Sequence, residues 1–208
     1  MTTAVVQPIL ETGVLILLLL NPFLMSVYLL DLIEDLTLAQ FRRVLWRACL
    51  ISITVFAAFC VGGEAIFSTV LQLNFSAFLI FGGVVFLLIG LQHIFHGADA
   101  VRRIRGSAQH LAGSVAMPFI IGPGTISASI WAGAKVGPLL GTAAVISGVL
   151  VAIGSLVLFK VLYDSMRNRH QELLQRYTDI AGRIAALWTG SFAVQMIATG
   201  LRDFLNGT

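Results

Sequence analysis

Long apolar runs follow one another along the chain, and short polar segments separate them. Each run approaches the roughly 20 residues that a helix needs to cross a lipid bilayer. The pattern predicts an all-α integral membrane protein, with one transmembrane domain covering residues 1–208. The six predicted spans lie at about 8–30, 44–71, 76–96, 114–134, 137–163 and 184–205.

The composition agrees with this fold class. Charged residues make up 11% of the chain, whereas soluble domains average about 25%. The two cysteines, Cys49 and Cys60, share one apolar run, where a helical rise of about 1.5 Å per residue keeps them too far apart to pair. We therefore expect two buried free thiols, and we expect no metal site because nothing nearby completes a ligand set.

The basic residues are distributed asymmetrically. All of them except Lys135 and Arg202 lie in the first, third or fifth loop or in its flanks. These loop residues are Arg42, Arg43, Arg47, Arg102, Arg103, Arg105, Lys160, Arg167, Arg169, Arg176 and Arg183. The positive-inside rule then places those loops in the cytoplasm and both termini outside it. Topology also accounts for the pI of about 9.2, so we expect no nucleic-acid partner.

The chain also shows an internal symmetry. Three predicted spans precede the third loop and three follow it, which predicts two inverted three-helix repeats. The expected repeats are 8–97 and 114–205. LLLLNPFLMS (17–26) aligns with PFIIGPGTIS (118–127), and QHIFHG, beginning at Gln92, aligns with QMIATG, beginning at Gln195. The two alignments have offsets of 101 and 103 residues, so one duplication explains both.

The first span of each repeat contains a helix break. Each break frees backbone N–H and C=O groups at membrane depth, and lipid cannot satisfy them. Broken helices in inverted repeats typically build the substrate site of a secondary transporter. The alternative is that both breaks are kinks satisfied by neighbouring helices, with the hydroxyl groups bonding within or between helices. The candidate substrate-binding residues are Asn21, Pro22, Ser26, Gly122, Pro123, Gly124, Thr125 and Ser127.

The chemistry of these candidates restricts the solute. None of their side chains ionises near neutral pH, so a small neutral or zwitterionic solute is expected. Glu64, Gln92 and Gln195 are the pathway or coupling candidates. A partly buried Glu64 would suit proton coupling, whereas an interfacial Glu64 would only cap a helix. The two glutamines could line the pathway or hold helices together. We expect no cofactor beyond a coupling proton or sodium ion.

Several short motifs recur along the chain: NPF in span one, GEAI from Gly63, FGG from Phe81, MPFIIGPGTIS in span four and AVQMIATGL in span six. Together they resemble the MarC family of bacterial inner-membrane proteins. The resemblance covers about residues 8–205 and implies six spans, a multi-pass location in the bacterial inner membrane and transport of a small amino acid such as alanine or glycine. The family pattern resembles NPxGxxP at the first break, whereas this chain has NPFLMSVY. Bulky Phe23 and Leu24 are therefore expected to narrow or reshape the pocket.

Two other classes of function compete with transport. A membrane channel, or an assembly or structural membrane protein without solute coupling, is the alternative. An enzyme, with catalytic residues, is not expected, because the chain lacks HExxH, CxxC and GxSxG motifs. The expected partners are a small-molecule substrate and the lipid bilayer. A homo-oligomer is a further expectation, since Gly82, Gly83 and Gly90 permit close helix packing.

Overall fold

The computed structural model describes residues 2–96 and 111–206 of the chain. Within these residues every regular element is a helix. The helices are α1 (Thr2–Leu20), α2 (Pro22–Tyr28), α3 (Leu30–Asp35), α4 (Leu38–Gly62), π1 (Ile66–Leu71), α5 (Phe75–His96), α6 (Leu111–Val115), π2 (Ala116–Ile120), α7 (Pro123–Val136) and α8 (Pro138–Asn206). The predicted third loop, with Arg102, Arg103 and Arg105, lies outside the described residues.

Five segments are long and apolar enough to cross a membrane. They are Ile9–Tyr28, Leu38–Gly62, Phe75–Gln92, Pro138–Arg167 and Gly182–Asn206. They match predicted spans one, two, three, five and six, so the all-helical, multi-span class is confirmed. Predicted span four instead consists of α6, π2 and α7, which are each too short to cross a bilayer alone. The six-span inverted repeat stays a prediction.

The helix α8 contains both predicted spans five and six. A straight helix of 69 residues would be about 104 Å long, against a hydrocarbon core of about 30 Å. Two contacts show that α8 reverses direction: Lys160 reaches Ile33 and Thr189 reaches Tyr28. Lys160 and Thr189 would be about 44 Å apart in a straight helix, whereas Tyr28 and Ile33 can be at most about 18 Å apart along the chain. The backbone of the predicted fifth loop is helical, so the chain folds back within α8, between these two contacts.

Local sequence explains where α4 begins and ends. Thr37 is its N-cap: Thr37 Oγ1 accepts a hydrogen bond from the Gln40 N–H at 3.3 Å, and the Thr37 N–H donates to Gln40 Oε1 at 3.0 Å. This capping box satisfies two of the free backbone donors of the first turn. The helix ends at Gly63, whose φ of 55° favours glycine. Predicted span two, 44–71, therefore corresponds to a helix that begins earlier, after the Thr37 cap, and ends earlier, at Gly62.

Glycines bring the helices of the two halves into close contact. A Cβ at Gly83 would lie 2.9 Å from the Ala193 carbonyl oxygen, and one at Gly90 would lie 3.2 Å from the Ala186 carbonyl oxygen. Both glycines therefore let α5 pack directly on the second half of α8. Because Gly83 and Gly90 are used within the chain, their presence no longer supports the expectation of a homo-oligomer.

Candidate functional site

The first break is a helix restart capped by asparagine. Asn21 adopts a left-handed conformation with φ 42° and ψ 80°, and its Oδ1 accepts a hydrogen bond from the Leu24 N–H at 3.2 Å. Pro22 occupies the first position of α2, where its missing N–H costs nothing. It does leave the carbonyl oxygen of Leu18, four residues earlier, without its usual helical donor. Asn-Pro is thus both the stop signal of α1 and the start signal of α2.

The second break is organised by one threonine hydroxyl group. Gly122 is extended and Pro123 begins α7. Thr125 Oγ1 accepts a hydrogen bond from the Gly122 N–H at 3.0 Å and lies 2.9 Å from the carbonyl oxygens of Ile120 and Gly122, so it donates to this pair. These groups are buried, where an unpaired N–H or C=O would cost about 1–3 kcal/mol. Thr125 therefore stabilises the break itself.

Span four contains another interruption, five residues before Gly122, which was not predicted. Within π2, Met117 has non-helical angles of φ −116° and ψ 129°. The next residue in the sequence is Pro118, and a proline drives the residue before it out of the helical region. The Ile121 N–H donates to the Ala116 carbonyl oxygen at 2.7 Å across this turn. Span four therefore consists of short pieces around two prolines.

A small cavity, here called the break cavity, lies beside the first break. Its residues are Leu19, Leu20, Leu24, Met25, Tyr28, Phe86, Trp188, Thr189 and Phe192. Its volume is about 70 Å³, which is room for a few water molecules or one small solute. The Tyr28 hydroxyl donates a hydrogen bond to Thr189 Oγ1 at 2.7 Å across its polar side. No charged side chain is among these described lining residues, so the cavity is small, aromatic and uncharged.

The second break touches the wall of the same cavity. A Cβ added at Gly124 would lie 3.6 Å from Phe192 Cζ and 3.8 Å from Leu19 Cδ2, and both of these residues line the break cavity. Trp188 stacks on Phe192, with ring centroids 5.8 Å apart and an interplanar angle of 5°. The two breaks therefore approach one cavity from different helices, with the aromatic side chains of α8 between them.

The FGG motif of span three supports the second break. A Cβ at Gly82 would overlap the ring of Pro123 and lie 3.3 Å from Met196 Cε. Glycine at this position therefore lets Pro123 pack directly on the α5 backbone. The adjacent Gly83 makes the contact with α8 described above. Each glycine of this motif thus has a packing reason.

The predicted substrate-binding residues do not line the break cavity. Within the part of the chain that the structure describes, its wall contains none of the eight candidates. Ser26 is buried, and its hydroxyl donates to the Phe23 carbonyl oxygen at 2.6 Å, whereas Ser127 is exposed. The equivalent serines of the two predicted repeats thus have different surroundings. Of the two bulky residues expected to reshape the pocket, Leu24 lines the cavity and Phe23 is exposed.

The pathway and coupling candidates lie away from this cavity. Glu64 is exposed in the turn after α4, so the burial that would favour proton coupling is not met in this conformation. Gln92 and Gln195 are also exposed. The roles of all three stay predictions. Cys49 and Cys60 are buried free thiols, as expected, and Cys60 Sγ donates to the Ser129 carbonyl oxygen at 3.2 Å.

Sequence reasoning missed the residues that form the wall. Tyr28, Phe86, Trp188, Thr189 and Phe192 come from three different helices. A signal existed for two of them, because a hydroxyl group in an apolar membrane segment needs a partner. Tyr28 and Thr189 are such residues, but nothing in the sequence shows that they pair across 161 positions.

Comparison with known proteins agrees with the helical fold. The profile of the MarC family integral membrane proteins matches residues 6–205. The chain belongs to the MarC family. A UPF0056 membrane protein of Pyrococcus horikoshii is 27% identical over 196 residues, covering 93% of each chain. A UPF0056 membrane protein of Methanocaldococcus jannaschii is 28% identical over 193 residues, covering 90% of this chain and 92% of the relative. No solved structure matches this MarC chain significantly.

Proposed function

We propose that this MarC protein is a secondary transporter of a small neutral or zwitterionic solute, with alanine or glycine as the first candidates. Alternating access would occur around the break cavity. The observation that supports this most is that Leu19 and Phe192 line the cavity and also flank Gly124 of the second break. Broken helices that meet at a small cavity are the usual architecture of such sites.

The cavity supports a small solute over a drug-sized one. Pockets for drug-sized ligands have volumes of about 300–1,000 Å³, whereas this cavity has about 70 Å³. It also supports a solute without net charge, because a buried unpaired charge is expensive. The first N–H groups of α7 have no acceptor within their own helix, and they favour an anionic group. A zwitterion with its carboxylate toward α7 is therefore part of the proposal.

Uptake into proteoliposomes tests this function. The purified chain is reconstituted, and saturable uptake of labelled alanine and glycine is measured with and without a proton or sodium gradient. Gly124→Val should abolish uptake because its methyl groups extend toward Leu19 and Phe192, while Gly124→Ala should give an intermediate rate. Gly154→Ala is the matched control, since nothing lies within 4 Å of the added Cβ.

The outcomes separate the candidate functions. Saturable uptake that Gly124→Val removes and Gly154→Ala leaves unchanged supports the proposal. Saturable uptake that also survives Gly124→Val would show that the site lies elsewhere. Flux that never saturates would favour the channel alternative. An absence of flux for every small neutral solute would favour the assembly or structural role.

A further inference from the structure

Side chains on one face of α8 donate hydrogen bonds to the carboxyl end of α3. Lys160 Nζ donates to the Ile33 carbonyl oxygen at 2.5 Å, and the Tyr163 hydroxyl donates to Glu34 Oε1 at 2.8 Å. The Arg167 guanidinium donates to the Glu34 carbonyl oxygen at 2.9 Å. The three donors are spaced i, i+3 and i+7, so they share one helical face. These five residues are called the α3–α8 clamp below.

Lys160 is the buried charge of the clamp. It is 2% exposed, and its ammonium group also donates to Asp164 Oδ1 at 2.6 Å. A cation is favourable at a helix C-terminus, where carbonyl groups lack helical donors. Ionisable residues inside membrane segments are expensive and are often functional. Glu34 and Arg167 are the other charged groups of the clamp, so its contacts combine buried charge with free carbonyl groups.

The clamp holds the far end of the segment that forms one cavity wall. This segment, Pro22–Asp35, contains α2 and α3 and is called the gate segment below. It begins after the left-handed Asn21 and ends at the extended Leu36. Within it, Leu24 and Tyr28 line the break cavity. A shift of the segment would therefore change the cavity wall and the clamp together.

The opposite end of the first span is held differently. There Glu11 of α1 pairs with Lys135 of α7 at 3.0 Å, and the two side chains are 48% and 39% exposed. Exposed ion pairs contribute little to stability because solvent screens them. The clamp has several hydrogen bonds and a buried ammonium group, so it is the stronger of the two contacts that bracket the cavity.

We propose that the α3–α8 clamp is a gate of the break cavity, with Lys160 as the residue that holds the gate segment closed. The gate faces the side of the membrane where α3 meets α4, the side that the arginine-rich loops predict to be cytoplasmic. This inference rests on the proposed transport function for its purpose. Its test needs no substrate, so the gate and the transport proposal can fail separately.

The experiment measures access to the cavity wall from each side. Leu24→Cys is placed in a background with Cys49→Ala and Cys60→Ala, and a membrane-impermeant thiol reagent is applied to right-side-out or inverted vesicles. Lys160→Met keeps much of the side-chain length but removes the charge. It should raise the labelling rate from the clamp side about ten-fold or more, the change expected when a charge-assisted hydrogen bond is lost. Labelling from the other side should change less than about two-fold.

Matched variants distinguish a gate from a contact that only stabilises the fold. Tyr163→Phe removes one hydrogen bond of the clamp and should give a smaller, same-sided increase. Lys135→Met breaks the exposed pair at the opposite end and should leave labelling from the clamp side unchanged. Equal increases from both sides with Lys160→Met, or no increase with either clamp variant, would overturn the gate. If Lys160→Met does not fold, the one-sided response of Tyr163→Phe decides.

Discussion

The left-handed conformation of Asn21 makes the first break quantitatively testable. Asn21 has φ 42° and ψ 80°, and its side chain caps the Leu24 N–H at 3.2 Å. Asparagine adopts this region more readily than most residues. Asn21→Ala removes the cap and places a methyl group in a region that alanine disfavours. Asn21→Gly removes the same cap but adopts the same backbone angles without that penalty.

The expected magnitudes follow from these two effects. Loss of an N-cap to alanine costs about 1 kcal/mol, whereas replacement by glycine costs only about a few tenths. Holding a non-glycine residue in the left-handed region adds about 1–2 kcal/mol. Asn21→Ala should therefore lower the free energy of unfolding by about 2–3 kcal/mol. Asn21→Gly should lower it by about 1 kcal/mol or less, because glycine mainly adds flexibility to the unfolded chain.

The assay is equilibrium unfolding from mixed micelles by titration with a denaturing detergent. Far-UV circular dichroism gives the helical content, and Trp fluorescence gives an independent signal. Asn21→Gly is the matched control, because it loses the same cap but keeps the backbone angles without the penalty for a left-handed alanine. If Asn21→Ala were as stable as Asn21→Gly, the residue would not be left-handed, and the break would have a different geometry from the one described.

Two further perturbations test the second break and its packing. Thr125→Val should lower the free energy of unfolding by about 1–3 kcal/mol, because it leaves the buried Gly122 N–H without its acceptor. Thr125→Ser keeps the hydroxyl group and should retain most of the stability. Titration with a denaturing detergent measures both variants, and equal losses of stability would refute the role of the hydroxyl group. Gly133→Ala should cost about 1–3 kcal/mol, because its Cβ would lie 2.8 Å from the Cys60 carbonyl carbon. Gly154→Ala, whose added Cβ would meet no neighbouring atom, should be neutral or stabilise the protein by up to about 1 kcal/mol. Size-exclusion chromatography after heating measures the fraction of each variant that stays folded. Equal folded fractions would contradict the close approach of α7 to α4.

Local sequence signals predicted the elements that depend on local physics. Apolar length located the five long spans, and proline located both breaks because it removes a helical donor wherever it occurs. A local signal of the same kind, the Thr37 cap, explains why α4 begins at Leu38. The additional interruption at Met117 follows from the proline after it, so the same local rule accounts for it.

Contacts between distant segments could not be predicted in this way. Lys160 was counted as one basic residue in the flank of a cytoplasmic loop, since charge counting uses position along the chain alone. Its burial depends on the carboxyl end of α3, which is 127 residues away in the sequence. The cavity wall was not predictable for the same reason, because Thr189 and Phe192 reach the first break only after α8 folds back. Helix periodicity identifies an apolar face but not its partner.

The free energy that a small solute gains on binding can be compared with the free energy needed to open the clamp. A solute can shift a conformational equilibrium only by the difference between its affinities for the two states. Two charge-assisted hydrogen bonds join α8 to the gate segment, from Lys160 to the Ile33 carbonyl oxygen and from Tyr163 to the Glu34 carboxylate. At about 1.5–3 kcal/mol each, they set the cost of opening the gate at about 3–6 kcal/mol. A solute of about six non-hydrogen atoms, such as alanine, can gain at most about 9 kcal/mol at the ceiling of about 1.5 kcal/mol per atom. Solute-driven opening would therefore be feasible for a ligand whose binding free energy per atom approaches this ceiling. A clamp much stronger than this would keep so small a ligand from opening the gate without a second source of energy, such as an ion gradient.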